Sequence, residues 1–104
     1  MKIIIILILL ILITGCQDNP NIDKDLVKCI SENSILYYST GCSACAKQKE
    51  IFKDSYEDLT KVDCVISPEK CREAGIIKVP TWEINNEKII GIKTIEELKE
   101  LTKC

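Results

Sequence analysis

Past residue 23 the apolar positions alternate between helical spacing and short unbroken runs. Leu26, Val27 and Ile30 make a stripe ahead of Asn33, and Asp23 or Asp25 is placed to cap a short helix there. Ile35 to Ser39 ("ILYYS") reads as a buried strand, and Thr40–Gly41 as the turn that follows it. From Cys42 to about Tyr56 the spacing is helical again, with Cys45, Gln48, Phe52 and Tyr56 on one side. Lys61 to Ile66 reads as a second strand. "SPEKCREAG" then predicts a short helix with Ser67 as cap, Pro68 in the first turn and Gly75 as stop. Val79 to Asn85 is a strand with Pro80 near its start, and Asn85–Asn86 turns it tightly into a partner strand, Glu87 to Ile92. Thr94, with Glu97 three positions on, is a capping box for a closing helix that reaches Cys104. The order α–β–α–β–α–β–β–α predicts one small α/β domain. Its four-stranded mixed sheet would carry helices on both faces.

Composition narrows what such a domain does. The chain's 104 residues allow a single small domain. With 14 basic against 16 acidic residues there is no basic excess, and the Tyr37–Tyr38 pair is no stacking platform, so no nucleic-acid partner is expected. Histidine is absent, which removes His-based acid–base chemistry and most catalytic metal sites. Seven cysteines in so short a chain point to an oxidising compartment.

The N-terminus agrees with that compartment. Lys2 precedes an apolar run from Ile3 to Ile13, too short to span a bilayer as a mature helix but suited to a signal-peptide core. The run closes on "ITGC", which resembles the lipobox of bacterial lipoproteins. That resemblance implies cleavage before Cys16 and a lipid on its thiol. The alternative is an ordinary signal peptide or an uncleaved anchor that happens to contain a cysteine. Residues 1–15 are therefore expected to be a lipoprotein signal peptide, 16–23 a polar tether and 24–104 the folded domain. The domain is expected outside the cytoplasm, at the periplasm or cell surface, held to the membrane by the lipid anchor. Setting Cys16 aside leaves Cys29, Cys42, Cys45, Cys64, Cys71 and Cys104, an even set, as full disulfide pairing requires.

Cys42 and Cys45 form a C-x-x-C at the start of the second helix. Three readings apply: a redox pair, an inert staple and a metal clip. Thiol–disulfide exchange needs a thiolate, and a helix N-terminus lowers the pKa of a cysteine from about 8.5. Cys42 sits where unpaired backbone N–H groups point, and Cys45, one turn on, is placed to resolve a mixed disulfide. A metal site needs more ligands. Cys64 and Cys71 could supply two, but their spacing is unlike that of zinc knuckles, and an oxidising compartment favours disulfides. No metal and no cofactor are expected. Lys47 reads as a solvated lysine, Tyr37 and Trp82 as core aromatics, and Gln48 as a helix-face residue without chemistry.

A strand, a C-x-x-C opening a helix, and a later strand begun by "VP" together resemble the thioredoxin-like fold over nearly the whole domain. The pattern C-x-x-C-x-x-Q-K-x-x-F followed by P-T-W-x-I-N, with "DC", "KCREAGI", Gly91 and the terminal "LKELTKC", is similar to one group in particular. This is the thioredoxin-like domain associated with bacterial vitamin K epoxide reductase homologues. The resemblance implies that the Val79–Pro80 bond is cis and faces the C-x-x-C, exposing the backbone of Val79 to an extended substrate. It also implies a separate vitamin K epoxide reductase-like membrane protein, quinone-linked, as partner. Two positions depart from thioredoxins: Gly41 stands where Trp is common, and Leu36 where a buried acid is expected. Ser43–Ala44 between the cysteines matches no familiar dipeptide.

On that fold the strand directions suggest how the other cysteines pair. The first strand runs toward the active-site end, and the last helix finishes at the opposite end, where Cys29 also lies; Cys29–Cys104 is the natural staple. Cys64 and Cys71 are close in sequence at the active-site end and form the local pair. That pair is either a second staple or a relay that passes electrons to or from Cys42–Cys45. The function expected is a membrane-tethered thiol–disulfide oxidoreductase acting on exported protein thiols, in the oxidising direction. The alternatives are a reductase or isomerase fed by a membrane donor, and a non-catalytic, disulfide-stapled surface lipoprotein.

Overall fold

The structure, a computed structural model, describes residues 22–104. The expected signal peptide, Cys16 and most of the expected tether lie outside the described residues. In chain order the elements are α1 (Lys24–Glu32), β1 (Ile35–Tyr38), α2 (Ser43–Phe52), a 3-10 segment (Lys53–Asp58), β2 (Lys61–Asp63), α3 (Pro68–Glu73), β3 (Thr81–Ile84), β4 (Glu87–Ile90) and α4 (Ile95–Thr102). Among the described residues no helix is long and apolar enough to cross a membrane.

Local chemistry sets most of these boundaries. The Asp23 carboxylate accepts hydrogen bonds from the N–H groups of Asp25 and Leu26, which opens α1, and Ile22 packs against the core. Thr94 and Glu97 exchange the two bonds of a capping box at the start of α4. Asn85 and Asn86 both take positive φ, 53° and 64°, as a two-residue hairpin turn that matches strand twist requires. Gly75 (φ +73°) ends α3 in a conformation that a side chain would strain.

The sheet order is β2–β1–β3–β4, with β1 parallel to β2 and antiparallel to β3, and β3–β4 a hairpin. This topology brings the C-terminal ends of β1 and β2 and the N-terminal end of β3 to one end of the sheet. Leu36 lies opposite Trp82 in that register, and both are fully buried. They carry the core together with Val27 and Ile30 of α1, Phe52 of α2 and Leu98 of α4. Tyr37 and Thr81, opposite each other on the other face, are buried as well, so both faces of the two central strands are covered.

Three details differ from the pattern reading. The helix expected from Cys42 to about Tyr56 ends at Phe52: Lys53 adopts φ 53°, ψ −131°, and the chain continues as a 3-10 segment. This keeps Tyr56 buried. The strand expected to reach Ile66 stops at Asp63, whose carboxylate accepts the N–H of Val65 while its carbonyl accepts the N–H of Ser67. That turn leaves Val65 and Ile66 exposed. Ser67 stands before α3 but makes no side-chain capping bond; Pro68, in the first turn, needs none for its own nitrogen.

Candidate active site

Cys42 is the N-cap of α2. Its backbone is extended, and its sulfur accepts a hydrogen bond from the Cys45 N–H at 3.2 Å, the place a capping oxygen usually fills. The β1–α2 connection reaches it through Gly41 at φ +87°, a left-handed conformation that favours glycine. Cys42 is half-buried, and Cys45, three residues on and one turn inside, is 5% exposed. Residues three apart on a helix lie roughly 5–6 Å apart at Cβ, so the two sulfurs are neighbours. Both are thiols in this structure.

The environments of the two sulfurs separate them. Burial, and then the hydrogen bond with Cys42, push the Cys45 thiol up to about 11. Cys42 lies beside Val79, whose carbonyl is 3.7 Å from its sulfur. The Val79–Pro80 bond is cis, and Pro80 is buried. Val79 lies outside the ladders of the sheet, and neither its N–H nor its C=O joins a backbone hydrogen bond among the described residues. A half-buried free thiol is thus placed next to a stretch of main chain that no strand pairs.

Two cavities flank this point. One, of about 370 Å³, is lined by Tyr38, Cys42, Cys45, Lys49, Tyr56 and Lys61, among others. Its charged lining is Lys49, Lys61 and Glu57; the ammonium of Lys61 lies 4.3 Å from the Tyr56 ring centroid and that of Lys49 5.6 Å. Lys61 also donates to the Tyr56 carbonyl at 2.6 Å, and burial lowers its pKa. Burial raises Tyr56 to about 12. The second cavity, of about 220 Å³, is bordered by Ser39, Cys64, Cys71, Ile76, Ile77, Lys78 and Val79.

The remaining cysteines are bonded in two pairs. Cys29 in α1 joins Cys104 past the end of α4, away from Cys42, with Cα atoms 5.9 Å apart. Cys64, just after β2, joins Cys71 in α3, with Cα atoms 5.7 Å apart, and this disulfide borders the second cavity. Tyr37 and Trp82 are core residues; the Tyr37 hydroxyl donates to Glu83, and burial first and this bond second raise its pKa to about 12. Lys47 is exposed.

Gln48 corrects the reading from sequence. It is fully buried, and its carbonyl oxygen accepts from the Trp82 indole N–H (3.0 Å) and the Lys93 N–H (2.7 Å), while its amide donates to the Lys93 carbonyl (2.9 Å). It ties the helix that carries both thiols to β3 and to the loop before α4. Helical spacing alone put Gln48 on the inward side with Cys45 and Phe52, and that placement was the available signal.

Solved structures share this fold. The oxidised thioredoxin of Plasmodium falciparum matches with a TM-score of 0.51 at 18% identity, over 79% of this chain and 90% of that one. The NTD_N/C domain of the alkylhydroperoxide reductase AhpF of Enterococcus faecalis matches with a TM-score of 0.52 at 23% identity, over 81% of this chain and 46% of that one. The fold is thioredoxin-like. Among curated proteins the chain is similar to the thiol-disulfide oxidoreductase LTO1 of Arabidopsis thaliana, 33% identical over 76 residues, or 64% of this chain. It spans about a fifth of that relative's length, 20%. No protein-family model matches the chain.

Proposed function

We propose that the protein is a thiol–disulfide oxidoreductase in which Cys42 exchanges with protein thiols and Cys45 resolves. The observation that carries this is the asymmetry of the pair: a reachable sulfur at a helix N-terminus beside open backbone, and a second thiol sealed one turn inside. In the oxidising direction a substrate thiolate attacks Cys42 of the Cys42–Cys45 disulfide. A mixed disulfide forms on Cys42, and Cys45 leaves as thiolate and takes up a proton. A second thiolate of the substrate then attacks the substrate sulfur of the mixed disulfide, and Cys42 leaves as a thiolate that takes up a proton. The substrate ends as a disulfide and the protein as a dithiol, with two electrons and two protons transferred. Where no second substrate thiolate is at hand, the Cys45 thiolate attacks Cys42 and expels the substrate thiolate, which restores the Cys42–Cys45 disulfide and is its resolving role. The backbone of Val79 is suited to hold an extended substrate over Cys42.

Exported protein thiols as substrates are supported by the cysteine content and the signal-like N-terminus, and the oxidising direction by the resemblance to domains associated with vitamin K epoxide reductase homologues. The resemblance to domains associated with vitamin K epoxide reductase homologues supports a quinone-linked membrane protein as the partner that reoxidises Cys42–Cys45. The "ITGC" stretch supports a lipid on Cys16 and hence a membrane tether. Full-length oxidised protein mixed with a two-cysteine peptide tests the reaction. Peptide disulfide should form faster than background, and Cys42→Ser should abolish the gain. Equal rates for both proteins would remove the proposal.

A further inference from the structure

The three most exposed large aliphatic side chains among the described residues are gathered in the two segments that flank the second cavity. Ile77 is 82% exposed and lines the cavity two residues before Val79; Val65 (62%) and Ile66 (78%) lie in the loop that the Cys64–Cys71 disulfide closes. Leaving one such side chain in water is ordinary; here Ile77 borders the cavity itself, and Val65 and Ile66 lie in the loop whose ends, Cys64 and Cys71, border it, so exposed aliphatic groups belong to both segments around it, a patch of the kind that marks an interaction site. The cavity is continuous with the candidate site, because Val79 and Ser39 border it and Val79 also faces the Cys42 sulfur. A segment that brings a thiol to Cys42 along the main chain of Val79, which no strand pairs, is therefore carried toward Ile77.

We propose that this patch selects the reaction partner: an extended polypeptide with an aliphatic side chain within two residues of its reacting cysteine, that side chain seated against Ile76 and Ile77 beside the Cys64–Cys71 disulfide. The occupant is the substrate itself, because main-chain pairing at Val79 and exchange at Cys42 fix where its neighbouring residues fall. Successive residues of an extended chain advance about 3.3 Å, so a residue one or two positions from the cysteine reaches the cavity next to Val79. The disulfide then has a positioning role: it holds the loop bearing Val65 and Ile66 against α3 without taking part in the exchange. The proposal rests on Cys42 being the exchanging sulfur.

The test uses full-length protein in mild detergent and a pair of two-cysteine peptides that differ only in leucine or serine two positions from one cysteine. Wild-type protein should oxidise the leucine peptide with a kcat/KM about tenfold above that of the serine peptide, the order of discrimination expected from seating one aliphatic side chain. Ile77→Ser should bring the ratio near one. Leu101→Ser, which removes an exposed aliphatic side chain on α4, should keep it. Equal rates for the two peptides with wild-type protein overturn the patch as a selector while leaving the exchange at Cys42 intact. Failure to oxidise either peptide, or dithiothreitol, strikes the underlying reaction instead. If the ratio survives Ile77→Ser, and the substitution lowers binding to phosphatidylcholine vesicles or self-association, the patch serves a bilayer or a second copy and the proposal falls.

Discussion

At Cys45 burial and the neighbouring Cys42 hold the proton on sulfur up to about pH 11. The sign of the consequence follows from linkage. The unfolded thiol titrates near 8.5, so the folded, reduced protein holds its proton more tightly than the unfolded chain. The resulting stabilisation is complete below about pH 8.5 and is lost as pH rises toward 11. Denaturant titrations of reduced wild type and Cys45→Ala between pH 8 and 11 should show a loss in the wild type that the variant lacks. Parallel curves would contradict the assignment. Burial also raises Tyr37 and Tyr56 to about 12, and that burial is common to both proteins.

The same asymmetry makes the two cysteine variants fail differently. Cys45→Ala keeps the reachable sulfur but removes the thiol that releases a mixed disulfide, so covalent complexes through Cys42 should accumulate on non-reducing gels. Cys42→Ala should trap almost none. Equal trapping by both would overturn the assigned roles. Gln48 invites a third test, since Gln48→Leu leaves the N–H groups of Trp82 and Lys93 and the Lys93 carbonyl without their partner. At roughly 1–3 kcal/mol for each buried group left unsatisfied, a loss of about 3 kcal/mol is expected from urea unfolding. A loss under about 1 kcal/mol would show that water or a local shift replaces the side chain. Spacing made the inward placement of Gln48 legible but not its partners, which are 34 and 45 residues away. The C-x-x-C was legible because its chemistry is local.

Among the elements, those governed by neighbours in sequence could be read directly. The capping box at Thr94, the Asn85–Asn86 turn and the Pro68–Gly75 helix each depend on residues within one turn of each other. The end of α2 could not be read, because helical spacing continues through Tyr56 while the backbone breaks at Lys53, a residue with no breaking tendency of its own. The end of β2 was partly legible, as Asp63 is a residue that turns a chain by accepting the N–H two positions on. The elements also set how much each staple contributes. The Cys64–Cys71 disulfide spans a separation of 7 and Cys29–Cys104 one of 75. On the chain-entropy account they contribute roughly 2.5 and 4.5 kcal/mol. Replacing Cys29 and Cys104 together by Ala should therefore lower the urea midpoint more than replacing Cys64 and Cys71. The reverse order would mean that the short loop carries strain or support that loop length does not capture.

For the whole molecule, strand order and direction were the legible part. Alternating elements followed by a hairpin leave few ways to form one small sheet, and they bring Cys42, Cys64 and Pro80 to the same end. Exposure was not legible: nothing in the composition of "DCVIS" or "GIIKVP" says that Ile66 and Ile77 face water, since that depends on how the chain turns after Asp63 and before Pro80. The proposed tether belongs to this scale too. Cells fed a fatty-acid analogue should label the wild type at Cys16 and leave Cys16→Ala unlabelled; equal label on both would remove the lipid anchor. An anchored domain meets a membrane partner at a raised effective concentration.

Whether Cys42–Cys45 is the exchanging pair of an otherwise disulfide-stapled fold is decided by a redox titration of the folded protein in graded thiol–disulfide buffer, with every cysteine followed by mass spectrometry after acid quench and alkylation. One reversible two-electron transition is expected at Cys42–Cys45, while Cys29–Cys104 and Cys64–Cys71 stay oxidised throughout. A Cys42–Cys45 disulfide that resists reduction until the domain unfolds would contradict this.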